Sequence, residues 1–92
     1  MKEIDGSNWL YNPWKLMAYN YYYRYYEYRD KNNSYLIRLL IVRTSDKCYK
    51  VTMWKQYFDG YRVSEIDINS FRSFFQVRGY AKNLIGGESI GS

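Results

Sequence analysis

Catalytic side chains are scarce in this sequence. It contains no histidine, so the usual general base at neutral pH is missing. Serine–histidine and cysteine–histidine nucleophile systems go with it. Cys48 is the single cysteine; it has no thiol or imidazole with which to share a zinc ion, and no disulfide partner. The nine acidic residues are scattered, and most fall at expected turns and caps, where Asp serves the backbone. The closest set is Asp59, Glu65 and Asp67, which turn and N-cap chemistry accounts for. Gly86-Gly87 is followed by no Lys-Ser/Thr, so it is not a phosphate loop. The expectation is a protein without enzymatic activity, cofactor or metal, one that works by binding.

Composition says what kind of binding. Fourteen Lys and Arg against nine Asp and Glu give a net charge of +5, which favours a polyanionic partner. Thirteen Tyr, four Phe and three Trp make up 22% of the residues. A chain this small cannot enclose all of them, so some must lie on the surface. Tyr and Trp beside Arg compose a recognition surface, either for a protein or for unstacked bases.

Three groups of residues are candidates for that surface. The first is on an expected strand, where Lys50, Thr52, Trp54 and Gln56 alternate with Tyr49, Val51 and Met53. Arg38 interrupts the neighbouring apolar strand and is expected on the same outer face. A sheet face with Arg, Lys and Trp stacks bases and neutralises phosphates, unless a helix covers Trp54. The second group is Tyr19, Tyr22, Tyr23, Arg24 and Tyr26, a candidate protein interface if their segment is helical. The third is basic: Arg72, Arg78 and Lys82 on a final helix, with Arg62 from the strand before it. The ordinary alternative there is a solvated helix face.

The elements that position these groups follow from local patterns. Asn12-Pro13 reads as an N-cap with Pro at the first helical position. Asn20, Arg24, Glu27 and Lys31 then recur at steps of four, three and four, one polar helix face. The expected element over 12–31 is therefore a helix, although Tyr favours strands. A hairpin is the competing reading, and it would add a fourth strand. Asp30 to Ser34 is a turn, and Tyr35 to Arg43 a buried strand. Thr44 to Lys47 is a hairpin turn, and Cys48 to Phe58 a second strand. Asp59-Gly60 marks another turn, and Tyr61 to Ile66 a third strand. Asp67 or Asn69 caps a helix from about Ser70, with Phe71, Phe74, Phe75 and the stem of Arg78 on its inner side. Gly79 ends or loosens it, or it continues to Gly86-Gly87.

The expected fold is a small single α+β domain over residues 1–85: an N-terminal helix, a three-stranded antiparallel meander and a C-terminal helix. The alternative is a four-stranded antiparallel sheet plus the C-terminal helix. Residues 86–92 are expected to form a flexible tail. The element order is similar to that of the double-stranded RNA-binding domain. That family's lysine-rich start to the final helix is missing from Asn69-Ser70-Phe71-Arg72-Ser73-Phe74-Phe75, so no family is assigned. No signal peptide or bilayer-length apolar run is evident, and the expected compartment is the cytoplasm. The functional expectation is a dimeric nucleic-acid-binding protein that prefers single strands or lacks sequence specificity. The alternative is a protein-binding module, an inhibitor or adaptor such as viruses and mobile elements encode, acting through a Tyr-rich surface.

Overall fold

The computed structural model describes residues 10–44, 48–58, 60 and 63–85. Five strands and one helix follow in order: β1 (Lys15–Tyr19), β2 (Tyr23–Arg29), β3 (Tyr35–Thr44), β4 (Cys48–Tyr57), β5 (Glu65–Phe71) and α1 (Phe74–Leu84). All neighbouring pairs are antiparallel and the spatial order equals the chain order. The fold is α+β, an antiparallel meander with one C-terminal helix on one face. Arg62, Asp59, residues 45–47 of the expected hairpin turn and the expected 86–92 tail lie outside the described residues.

The expected N-terminal helix does not form; its segment is the β1–β2 hairpin. Each residue of the supposed polar helix face has another job. Asn20 closes the hairpin turn, its side-chain oxygen accepting from the N–H groups of Tyr22 at 2.7 Å and Tyr23 at 3.1 Å. Arg24 is buried. Glu27 stands on a strand beside Arg38, and Lys31 lies in the next turn. Asn12-Pro13 is a cis peptide bond in the turn before β1. In β2 burial alternates strictly, with Arg24, Tyr26 and Tyr28 inward and Tyr23, Tyr25 and Glu27 less buried between them. Tyr on both faces and Arg on the buried one hide this period of two from a reading based on polarity.

The β2–β3 turn is built on Asp30. Its Oδ2 accepts from Asn32 N–H at 3.1 Å and Ser34 N–H at 3.3 Å. Asn33 takes a φ of 58°, a left-handed conformation that Asn tolerates. Next come the two longest strands, β3 and β4, paired from Tyr35↔Tyr57 to Thr44↔Cys48.

The final helix starts later than expected. Asp67 and Asn69 are not caps, since they alternate with Ile66 and Ile68 within β5. Ser73 is the N-cap: its Oγ accepts from Gln76 N–H at 3.3 Å, while Gln76 Oε1 accepts from Arg72 N–H at 2.9 Å. This is close to a capping box, shifted by one residue at the return bond. The later start moves the inner stripe to Phe74, Val77 and Ala81, with Ile85 buried beyond it. Phe75 is outside, 79% exposed, and Phe71 belongs to β5. The helix runs through Gly79 to Leu84. Replacing Ser73 by Ala should cost about 1 kcal/mol of stability, read from the midpoint of urea unfolding. An unchanged midpoint would contradict the cap.

The core lies between α1 and one sheet face. Tyr26, Ile37, Leu39, Val51 and Val77 are its fully enclosed side chains. Tyr26 also anchors the incoming chain, its hydroxyl accepting from Leu10 N–H at 3.2 Å. At the β5 side, Tyr80 donates to Asp67 Oδ2 at 2.8 Å and packs on Phe71, ring centroids 5.3 Å apart. Burial, then the bond to Asp67, pushes the Tyr80 hydroxyl up to about 12. In the unfolded chain it ionises near about 10. A raised folded-state pKa contributes stability that is intact below pH ~10 and lost as pH rises through ~12. The urea midpoint should therefore fall across that window, and fall less steeply in Tyr80→Phe. Equal slopes would remove Tyr80 from the account. Among the described residues no helix is long and apolar enough to cross a membrane.

Candidate nucleic-acid interface on the open sheet face

The register places a defined set of side chains on the sheet face away from α1. Strands alternate their side chains, and directly opposed residues share a face. One row across the sheet is Lys15, Glu27, Arg38, Trp54 and Ile66. The next is Ala18, Tyr25, Leu40, Thr52 and Ile68, and the next Tyr23, Val42, Lys50 and Ser70. Arg29, Leu36 and Gln56 form the row on the other side of Arg38. No described helix lies over these rows. Trp54 is 43% exposed, Ile66 67% and Ile68 56%.

The middle of this face is linked laterally. Tyr25 donates its hydroxyl to Glu27 Oε2 at 3.1 Å. Arg38 Nε lies 3.7 Å from the same oxygen, and its guanidinium carbon stands 5.1 Å from the centre of the Trp54 ring. Partial burial, and then the bond to Glu27, raise the Tyr25 hydroxyl above its ordinary value. Glu27 thus holds both the phenol and the cation in place, and Arg38 lies against the indole. Toward one end, Arg29 stands 5.7 Å over the Phe58 ring. The product is a half-exposed aromatic surface with Arg38 held against it.

Cations stand on both faces, with Arg24, Lys55, Arg78 and Lys82 on the α1 side. Lys15, Arg29, Arg38 and Lys50 are on the open side. Glu27 is the only carboxylate there among the described strand residues. The acids of β5 are on the α1 side, where Glu65 accepts from Tyr57 at 2.9 Å and Asp67 from Tyr80. Opposing cations and rings on one face suit a chain of phosphates and bases.

The sequence-predicted groups separate accordingly. Arg38, Lys50 and Trp54 are together, with Arg38 directly opposite Trp54. Arg78 and Lys82 are on α1, on the other side of the sheet, and Arg72 is exposed just before it. Arg78 is half-buried, its guanidinium 5.3 Å from the Tyr11 ring and 5.7 Å from Phe74. The tyrosine group is dispersed by the hairpin. Tyr26 and Arg24 are buried on the α1 side. Tyr19 also faces that side, opposite Arg24 in the edge strand, and is 56% exposed. Tyr22 is in the turn, edge-on to Tyr21 at 4.9 Å, and Tyr23 is on the open face. The continuous aromatic helix face expected from these residues does not exist.

Tyr25, Lys15, Arg29, Ile66 and Ile68 were missed as members of the open face. Reading 23–29 as a strand would have aligned Tyr25 and Arg29 with Arg38 and Trp54 by alternation alone. Ile66 and Ile68 required the correct limits of β5. No family model, curated protein or solved structure matches the chain.

Proposed function

We propose that the protein is a non-catalytic domain that binds single-stranded nucleic acid on the open sheet face. The observation that carries this reading is the coincidence, on the sheet face that no described helix covers, of four cations with the Tyr25 and Trp54 rings. Bases stack on the exposed rings, and Lys15, Arg29, Arg38 and Lys50 meet the phosphates. Stacking accepts every base, so little sequence preference is expected. A duplex hides its base faces and should bind more weakly.

The test is fluorescence anisotropy of labelled single- and double-stranded oligonucleotides titrated with the protein at several salt concentrations. Single-strand affinity should fall steeply with salt. If all four cations neutralise a phosphate, the slope of log K against log salt approaches about −3. Arg38→Gln should make it shallower by roughly 0.7. Absence of binding at low salt, or salt-independent binding, contradicts the proposal.

One observation favours a second reading, a protein partner. β5 is an edge strand that bears neither Lys nor Pro, and its two charges, Glu65 and Asp67, are engaged by Tyr57 and Tyr80 on the α1 side. Its Ile66 and Ile68 extend the Trp54 surface to the rim. An extended peptide could add to this edge. Affinity for such a partner would be insensitive to salt and would survive Lys50→Gln.

A further inference from the structure

A concavity lies on the opposite side of the molecule from the open sheet face, between the chain leading into β1 and α1. Its volume is about 570 Å³, within the roughly 300–1,000 Å³ usual for small-molecule sites. Buried apolar side chains form much of its wall, Leu10, Trp14, Ala81 and Ile85 among them. Arg78 and Lys82, one helical turn apart, supply its charge. Among the described residues no carboxylate lines it, and neither cation is placed in an ion pair.

Two lining residues also keep a buried donor without a partner: the Trp14 indole N–H and the Arg78 Nε–H. Buried donors without acceptors are rare and destabilising. Among the described residues Arg78 packs against the Tyr11 and Phe74 rings and meets no anion. An apolar wall, two cations with no described anion and two unmet donors point to one kind of complement. It is a ligand with an apolar body and a head that only accepts hydrogen bonds.

We propose that this cavity binds a small amphipathic carboxylate, its chain or ring against Trp14 and Ile85 and its carboxylate on Arg78 and Lys82. A carboxylate offers acceptors and no donor, and Arg receives it with charge-assisted bonds. The site is separate from the open sheet face and stands whether or not nucleic acid binds there.

Decanoate is the probe, titrated by calorimetry into the full chain, with decyltrimethylammonium as the control of equal chain length and opposite charge. Decanoate should bind saturably at one site and the cation should not. Arg78→Gln should weaken binding about tenfold, the scale of one lost charged hydrogen bond. Gly79→Leu should abolish it. Gly79 lines the cavity, a Cβ there meets nothing within 4 Å, and Leu is a better helix former than Gly. That variant should therefore fold, checked by its thermal transition, and should keep whatever oligonucleotide affinity the parent has. No decanoate binding by the parent, equal binding of the cation, or undiminished binding by folded Gly79→Leu would each overturn the proposal.

Discussion

Tyr26→Ala should lower the unfolding free energy by about 3–5 kcal/mol, the range for deleting a buried aromatic side chain. A domain of this size has only about 5–14 kcal/mol in total, so the variant should be partly unfolded at 37 °C. Tyr26 is fully enclosed. It lies opposite Leu39 across β2–β3 and near Leu16 on β1, so its ring spans three strands. Its hydroxyl is the acceptor for Leu10 N–H, tying the entry segment to the sheet. Tyr26→Phe separates the two contributions. It keeps the ring and loses the tether, and should cost about 1–3 kcal/mol because a buried N–H is left unmet. Urea unfolding of both variants checks the pair. A loss below about 1 kcal/mol in Tyr26→Ala would mean that the ring is not in the core, and the hairpin assignment would fail with it.

The second large effect concerns binding. Trp54→Ala should weaken single-strand affinity by about 1–3 kcal/mol, roughly fivefold to 150-fold, the measured scale of one base–aromatic stack. The effect should be close to the top of that range, because Trp54 also supports Arg38. With the indole gone the guanidinium loses its cation–π contact and its orientation. Trp54→Phe, which keeps a ring, should recover a large part. The folded state should change little, since Trp54 is 43% exposed and outside the core. Anisotropy titrations of the three proteins under identical salt check this. Equal affinities would remove Trp54 from the interface.

How far these sites are legible in the sequence depends on the alternation of each strand. In β4, Tyr49, Val51 and Met53 alternate with Lys50, Thr52, Trp54 and Gln56. Apart from Trp54 on the open side and Lys55 on the α1 side, the polar or apolar character of each residue follows its face, and Arg38 lies where its interruption of an apolar run implies. In β2 the character misleads, because Arg24 is inside and Tyr25 outside. Tyrosine is apolar enough for a core and polar enough for a surface, so a Tyr-rich strand carries almost no polarity signal. Its strand propensity was the better guide, and the helical spacing of Asn20, Arg24, Glu27 and Lys31 arose from two turns and two unrelated strand positions.

The last helix shows a different limit. Asp67 and Asn69 are good cap residues by type, but Ile66 and Ile68 between and beside them continue the strand. The Ser73–Gln76 box is the signal that places the start. The cavity beside α1 was not legible at all. It depends on where the chain before β1 crosses the helix, a tertiary fact that no local pattern carries.

The proposal on the open face is tested most directly by amide and indole chemical-shift mapping of the labelled protein with a short single-stranded oligonucleotide at low salt. The account predicts perturbations at Tyr25, Arg38, Leu40, Lys50, Thr52 and the Trp54 indole, with α1 from Val77 to Leu84 unmoved. Perturbations confined to α1 and the chain before β1, or none at saturating oligonucleotide, would contradict it.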